Sequence, residues 1–586
     1  MSKSFVLFSL GVIMATLLIA CAAPTPTQAP AAPKPTDVPK PTAAAQPTAI
    51  PTAAAGPKRG GKVTYAMWQS PVSLNPLIIN QTVVDRVLDF IVEGMTTTSS
   101  DGERIPVLAK EVPSVKNGGV SADGKTITYK LKEGLLWSDG KPVTCDDVKF
   151  NWQVRMTPGI GIVSTTGYSS IETVECPDPL TAVVKYKNFY APYLTLFNAL
   201  VPKSAGDPKD IKNWEYNRKP IGTGPFKVQE WATDDHITLV RNENYRDAKA
   251  GKPYLDQIII RIVPSTDVAL QLMVSGEVDV VWRPPEDQLD VLAKVPGVKV
   301  VTMPSRSSEK LFLNLGENKD PADPAKPHAI LGDVRVRQAL AYGINRQPMV
   351  DQLMNGRTVI GSNEITQGFF KCDIKPYPFD PEKAKTLLTQ AGWVPGADGI
   401  RVAKGAKNAP DGTRLRLKLS TTSGSKARED AQVLIMQNMR AIGVDIYLEN
   451  MPSAVLIGNW AAASPRKRGN FDILLYADSP EFDPHSHMAE RFLSTGIPSE
   501  KNTGGVNQTR FNDPKVDDLL KQAGSEPDVD KRKVMYCQVE TILHESSPIA
   551  YLWAQVRAFA WRERVQGVST NEWSDISWNA QEWWLK

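Results

Sequence analysis

Cysteine and histidine are scarce in this chain, with five of each among 586 residues. The cysteines at 145, 176, 372 and 537 form no Cys-x-x-Cys pair and no zinc-like spacing, which argues against zinc modules and dithiol redox motifs. His544-Glu545 lacks the second histidine of a metalloprotease helix, and no Gly-x-Ser-x-Gly elbow occurs. His485-Ser486-His487 offers two alternate imidazoles without a third His or a nearby Cys, so it reads as a polar loop. Gly222-Thr223-Gly224 is followed by strand-like Phe226 to Val228, whereas a phosphate cradle needs a helix there. Carboxylates such as Glu481 and Asp483 are too common in turns to imply glycosidase chemistry. No catalytic constellation emerges; the expectation is a non-enzyme without cofactor or resident metal. Runs of Lys and Arg are missing as well. With Lys3 set aside, 67 basic residues face 64 acidic ones, which excludes a nucleic-acid stripe.

Long apolar runs are confined to the beginning. Phe5 to Ala20 is apolar except for Ser9, Gly11 and Thr16 and follows Lys3, as in a signal peptide (1–20). Leu18-Ile19-Ala20-Cys21 looks like a bacterial lipobox, making Cys21 the expected lipidated N-terminus. Two or more acyl chains hold a protein at a membrane durably. Ala22 to Lys58 is nearly all Ala, Pro, Thr and Gln, without an aromatic residue. It lacks the apolar surface to fold, and the segment 21–58 reads as an extended tether of roughly 100 Å. The folded body is therefore expected outside the cytoplasm, anchored to the cell membrane. In that setting the four remaining cysteines permit disulfides. Cys145 and Cys176, close in sequence, are the first candidates, while Cys372 and Cys537 stand 165 positions apart with no local reason to pair.

About 528 residues follow Lys58, enough for two or three lobes. Fourteen Trp and fifteen Tyr supply core and material for a ligand cleft. Thr126 to Leu131 alternates as a half-buried strand, and Thr144 with Asp147 forms a capping box for a helix. Asp333 caps a helix striped by Val336, Ala339, Leu340, Gly343 and Ile344. Asp380-Pro381 opens another, which Gly392 stops. Leu415, Leu417 and Leu419 alternate, a helix from about Lys426 carries Ala431, Ile435, Met439 and Ile442, and Val444 to Leu448 is a second strand. Strand, helix and strand predict parallel pairing in an α/β lobe.

Several stretches together resemble the bacterial extracellular solute-binding proteins of family 5, receptors for oligopeptides and dipeptides in ABC-type import. Trp137-Ser138-Asp139-Gly140-Lys141-Pro142-Val143-Thr144 with Asp146-Asp147-Val148-Lys149-Phe150 carries the likeness. So do Gly222-Thr223-Gly224-Pro225-Phe226, Arg241-Asn242-Glu243-Asn244-Tyr245, Ser275-Gly276-Glu277-Val278-Asp279, Val334 to Leu340, the Asp380 helix and Pro548-Ile549-Ala550-Tyr551. The resemblance implies a two-lobed α/β fold of the periplasmic-binding-protein kind (type II, with an extra accessory domain) and a ligand cleft between the lobes. Lobe I would comprise 59–92, 221–345 and 556–586, the accessory domain 93–220, and lobe II 346–555. The chain would cross between lobes near 316–346 and near 555.

The resemblance also implies a site. Asp478, near the end of the Phe471 to Asp478 strand, is the candidate anchor for a peptide amino group. The loop around Asn80, the strand bearing Phe312 and Asn314, and Trp553 at the second crossing fall at the cleft. Trp282, Tyr476 and Trp553 would be the platforms if the solute were an oligosaccharide. A short peptide is the favoured solute, an oligosaccharide or metal chelate the alternative, and a secreted hydrolase the remaining one. The expected partners are the solute and a membrane permease, with the receptor acting as a monomer.

Overall fold

The computed structural model describes residues 56–586 apart from Asn80, Val163, Pro324 and Ser479. The signal segment, Cys21 and the tether up to residue 55 lie outside the described residues.

The alternating leucines at 415, 417 and 419 are all buried, and Arg416–Thr421 is a strand. It pairs in parallel with Asp445–Leu448 and with Ile473–Asp478. Helix Lys426–Ala441 joins the first two and buries Ala431, Ile435 and Met439 against them. Helix Val334–Gly343 starts at Asp333, whose carboxylate accepts from the Arg335 amide at 2.9 Å. Helix Pro381–Gln390 starts at Asp380, which accepts from the Lys383 amide at 2.9 Å. Both lay their apolar stripes on the same core as the leucine strand.

These strands form one half of a ten-stranded sheet. Its order is Asp445–Leu448, Arg416–Thr421, Ile473–Asp478, Val298–Leu313, Ile549–Arg562, Val280–Val281, Lys62–Met67, Gln257–Ile262, His236–Arg241 and Phe226–Ala232. The two long central strands, Val298–Leu313 and Ile549–Arg562, run antiparallel through two cores. Leu311, Leu313, Leu552 and Trp553 belong to the core of the leucine strand. Farther along, Phe559 and Trp561 join a second core with Val63, Tyr65, Phe90, Ile258, Ile260, Trp282 and Trp583. The register between the long strands shifts at Pro304/Ser308 and again at Glu309/Lys310, where one core gives way to the other. Leu311, Leu313, Leu331, Val336, Leu340 and Ile344 pack into the first core with residues from 349–553, and Phe312 packs into an adjoining core with Phe370, Tyr476 and Tyr536.

A third core, spanning residues 95–200, sits under the three-stranded sheet Thr126–Lys130, Thr181–Tyr186 and Ile171–Asp178. Helix Cys145–Arg155 covers it. Its capping box is made as the sequence predicts, with the Thr144 amide donating to Asp147 at 2.9 Å. The same carboxylate accepts from the Trp137 indole at 3.2 Å and from the Lys203 amide at 2.8 Å, so this cap also fixes the turn before the helix. Gly222 passes so close to the second core that a Cβ there would stand 1.9 Å from the Ile91 carbonyl oxygen. The Gly224 amide donates to that oxygen at 2.8 Å. The glycine pair is thus a close backbone approach.

Cys145 and Cys176 are bonded, with Cα atoms 5.7 Å apart. Cys372 and Cys537 are bonded as well, with Cα atoms 5.3 Å apart across 165 positions. Sequence gave no reason to pair these two. Their meeting depends on helix Val529–Ser546 packing beside the segment around Phe370, with Tyr536 edge-on to Phe370.

In the chain-entropy treatment the shorter loop stabilises by roughly 4 kcal/mol and the longer by about 5 kcal/mol, less any native strain. Replacing Cys372 and Cys537 by Ser should therefore lower unfolding stability at least as much as replacing Cys145 and Cys176. Urea denaturation of the two double variants measures this directly. Equal stability with and without the longer bridge would refute the expectation.

Candidate functional site

The register shifts of the long strands open a cavity of about 370 Å³. Ser305, Arg306 and Ser307 come from one strand, Gln555 to Ala558 from the other, and Arg283, Pro284 and Glu572 from the second-core side. A polar run in mid-strand breaks the alternation that would bury these side chains in either core. Glu572 is nearly buried; it accepts from the Ser305 hydroxyl and the Arg306 amide, both at 2.9 Å. Arg306 donates across the cavity rim to the Pro480 carbonyl at 2.6 Å. Burial pushes both Arg283 and Arg306 below their ordinary values, and the neighbouring Arg557 adds to this, against the pull of Asp575 on the first and Glu572 on the second.

Beyond the cavity a series of cation–ring and edge-to-face ring contacts lines the seam. Arg306 lies 5.1 Å from the ring centre of Trp573, Trp573 packs on Phe482 at 6.0 Å, and Arg104 lies 5.2 Å from Phe482. Two further cavities flank the series. One of about 340 Å³ is bounded by Trp573, Trp578, Arg104 and Thr96 to Thr98. The other, about 170 Å³, is bounded by Arg104, Tyr193, Phe369, Phe370, Phe482 and Arg532. Arg532 is fully buried and links Asp483 at 2.6 Å to the Ala191 carbonyl at 3.1 Å, tying the third core to helix Val529–Ser546.

Residues 103–500 match the family of bacterial extracellular solute-binding proteins, family 5, middle portion. The chain belongs to that family. Among curated relatives, the oligopeptide-binding protein AppA of Bacillus subtilis is 26% identical over 91% of this chain and 93% of its own. The solved structure of that protein with a nonapeptide has a TM-score of 0.61 at 24% identity, covering 90% of this chain and all of the other. NikZ from Campylobacter jejuni, solved with Ni(L-His), has a TM-score of 0.67 at 22% identity, covering 90% and 99%. The fold is the two-lobed α/β arrangement of these binding proteins. Among the described residues, no helix is long and apolar enough to cross a membrane.

In this family member most residues singled out from the sequence pack inside cores. Trp282 stacks on Trp68 at 5.4 Å and donates to Asp575 at 3.3 Å. Phe312 stacks on Tyr476 at 4.4 Å, and the Tyr476 hydroxyl accepts from Gln508 at 2.6 Å. Asn314 is fully buried and donates to the carbonyls of Gly469 and Phe471 at 3.1 and 2.8 Å. Trp553 belongs to the first core. These five side chains do not line the cavity; their neighbours do, as with Trp282 and Arg283 or Trp553 and Gln555. Asn80 lies outside the described residues.

Asp478 ends strand Ile473–Asp478, next to the first long strand, and already faces two cations, Lys310 at 2.5 Å and Arg491 at 2.6 Å. Lys310 is buried and also donates to Glu364 at 2.7 and 2.8 Å. His487 and Tyr551 complete the shell of Glu364 at 2.7 and 2.9 Å. The oxygen and nitrogen atoms of Glu364, Asp478 and His487 gather within 4.8 Å, a spacing suited to a metal, but the Lys310 ammonium lies between the carboxylates. His485 turns away from this group. Its ring sits 6.3 Å from that of Tyr536 and takes no part in the cluster, and burial and the nearby Arg532 push its imidazole down to about 4. Burial raises the Glu364 carboxyl, but Lys310 and then His487 outweigh it and hold the group well below the usual range. Glu540, one layer deeper, is pushed up to about 7 by burial and by the Glu364 charge.

Two outcomes follow from this network. Lys310→Met leaves two buried carboxylates without their shared cation and should cost about 3–5 kcal/mol in denaturant unfolding; a loss below 1 kcal/mol would contradict the assignment. For Glu540 the folded-state value lies above the ordinary 4.5, so its contribution is fully present below about pH 4.5 and is lost as pH rises towards 7. Glu540→Gln should flatten the stability profile across that window and raise stability at pH 7.5. An unchanged slope between pH 4.5 and 7 would show that Glu540 ionises normally.

Proposed function

We propose that this protein is the substrate-binding receptor of an ABC-type importer, lipid-anchored at Cys21 on the extracytoplasmic face of the cell membrane. It captures a short peptide by closure of two lobes and presents it to the permease, working as a monomer without turnover. The observation that carries this reading is the polar cavity at the point where two long strands pass from one core to the other in a family of solute-binding proteins. A bend at that point moves one core relative to the other, and a solute held by both favours the closed arrangement through its extra contacts there.

Packing supports a revision of the lobe limits expected from sequence. Residues of 311–344 pack in two cores with residues of 349–553, which favours a first crossing at the 304–308 register shift over one near 316–346. The separate core within 95–200 supports an accessory domain at 93–220. The peptide reading draws on the Bacillus relative and its nonapeptide complex. It is preferred to an oligosaccharide because Trp282, Tyr476 and Trp553, the aromatic platforms a sugar would use, are packed away from the cavity. Asp478 would take a peptide ammonium by exchanging it for Arg491, its more exposed partner.

Mass spectrometry of solute carried through purification is the deciding measurement, with a peptide as the expected result. A bound disaccharide would overturn the peptide reading, and release of a chemically altered product would overturn the receptor reading. If Asp478 holds the amino end, Asp478→Asn should weaken peptide binding by about 2–5 kcal/mol in titration calorimetry. N-acetylation of the peptide should weaken binding to the unmodified protein to a similar degree. Unchanged affinity in both experiments removes Asp478 from the site.

A further inference from the structure

The ten-stranded sheet ends on one side in Phe226–Ala232, and among the described residues no further strand covers its outer edge. Its inner edge pairs with His236–Arg241, placing Phe226 opposite Arg241 and Val228 opposite Leu239. The Arg241 amide donates away from this pair, to the Asp256 carbonyl at 3.0 Å. Phe226 and Val228 therefore turn their peptide groups outward, because the bonding side alternates along an antiparallel ladder. The Phe226 amide finds a partner there, the Phe90 carbonyl at 3.0 Å. At the other end of the edge the Arg218 guanidinium donates to the Trp231 carbonyl at 3.1 Å and lies 3.9 Å from the Trp231 ring centre. Between these two stops, nothing among the described residues pairs with the N–H or C=O of Val228. Val228 is nearly buried, where backbone groups are ordinarily paired. The ladder slips immediately after it, between Val228 and Glu230.

Val228 lines a cavity of about 510 Å³ that shares no residue with the one at the long strands. Ser138 and Asp139, from the turn before helix Cys145–Arg155, form part of its wall. Ala205, Pro220, Ile221 and Val240 give it apolar surface. Glu215, Lys219 and Lys227 give it charge of both signs, and among the described residues none of the three makes a side-chain hydrogen bond or an ion pair. The place thus combines an open donor and acceptor on a strand edge with apolar walls and uncommitted charges.

We propose that this cavity is a second binding site, for a short free peptide in extended form, one residue of which exchanges both hydrogen bonds with Val228. A peptide main chain carries a donor and an acceptor at the spacing that Val228 leaves open, the match used whenever a segment adds itself to a sheet edge. Its side chains on alternate faces meet apolar wall, and its two charged ends find opposite charge in Glu215 and in Lys219 and Lys227. The edge also sets the length. Phe90 stops an extended chain at Phe226, and the Arg218 clamp stops it at Trp231, so the space between takes about three residues. A strand belonging to a larger partner would have to run on past one stop or the other. The site is independent of whatever the cavity at the long strands takes.

The test follows hydrogen exchange across 226–232 by mass spectrometry in the full-length protein, titrated with tri-alanine and with tri-alanine methylated on its central nitrogen. Tri-alanine is expected to slow exchange in this segment. The methylated form should need about tenfold more ligand for the same effect, since it lacks one hydrogen bond. Lys219→Glu and Lys227→Glu alter side chains that are not buried, so both variants should melt normally and lose much of the protection. Unchanged exchange in 226–232 at every concentration of tri-alanine would overturn the site, and equal protection by the two ligands would overturn pairing at Val228. Full protection in both charge variants would mean that the effect reaches the edge from another cavity, and the proposal falls. Extending tri-alanine at both ends should abolish protection. Stronger protection by the longer chain would overturn the free-peptide assignment in favour of a segment of a larger partner. The receptor reading survives each of these failures, because the two cavities have no residue in common.

Discussion

The antiparallel pairing of Val298–Leu313 with Ile549–Arg562 is the constraint on which the molecule depends. These strands are the backbone of two cores at once, so each side of the sheet inherits its position from their shared hydrogen bonds. A regular pair of this length would be stiff and would alternate in and out without interruption. Two register shifts break the regularity between Pro304 and Lys310 and leave a polar stretch whose side chains enter neither core. Bulges bend strands and re-aim side chains, so the same irregularity supplies a bending point and a lined cavity. The cavity and the bending point thereby occupy one place in the structure, so anything bound in the cavity would bear directly on how the two cores sit.

Next to that hinge the protein maintains an expensive buried network. Lys310, Glu364, Asp478, His487 and Arg491 hold one another in the interior, with two carboxylates sharing one ammonium. Replacing such a group by apolar packing often stabilises a fold, so stability alone gives little reason to keep it. Its geometry offers a different account. Lys310 sits on the first long strand and Asp478 on its neighbour, and their ion pair fixes the register of the strand end that borders the cavity. A hydrophobic pair would tolerate sliding; a directional pair with one satisfied arrangement does not.

Much of the scaffold was legible in the sequence because local rules and tertiary outcome agree there. The leucines at 415, 417 and 419, the Asp333 and Asp380 caps, and the Thr144–Asp147 capping box all give the elements their patterns announce. The parallel strand–helix–strand unit follows for the same reason. The lining of the cavity was far less legible. The segments next to Trp282 and Trp553 do border the cavity, yet the side chains chosen were the large aromatics, and burial claimed those first. Which of two adjacent residues faces a cavity depends on register, and here register changes at a bulge that has no distinct local signature. The Ser305-Arg306-Ser307-Ser308 run inside a strand was the available signal, as a polar interruption in an otherwise alternating segment. Glu572 and Trp573 reach the site from the chain's far end, and nothing local marks them. The Cys372–Cys537 bond likewise reflects tertiary proximity alone.

The charge pattern around the hinge bears on how opening and closure are balanced. Three guanidinium groups around one carboxylate at the cavity, those of Arg283, Arg306 and Arg557 around Glu572, disfavour the closed form while the cavity holds only water, because they bring like charges together in a partly desolvated space. The seam beyond acts in the opposite direction. Arg306, Trp573, Phe482 and Arg104 meet in series, with the two rings edge to face, and Arg532 bridges the third core to helix Val529–Ser546, contacts that hold this arrangement together without solute. A receptor needs the two tendencies to be close in magnitude. If the seam dominated, solute would be excluded by a cleft already shut. If repulsion dominated, a large share of the binding energy would go into closing it, and the apparent affinity would fall by the fraction of closed-competent molecules. With the like charges gathered at the cavity and the attractive contacts away from it, a counter-charge in the cavity would tip the balance toward closure.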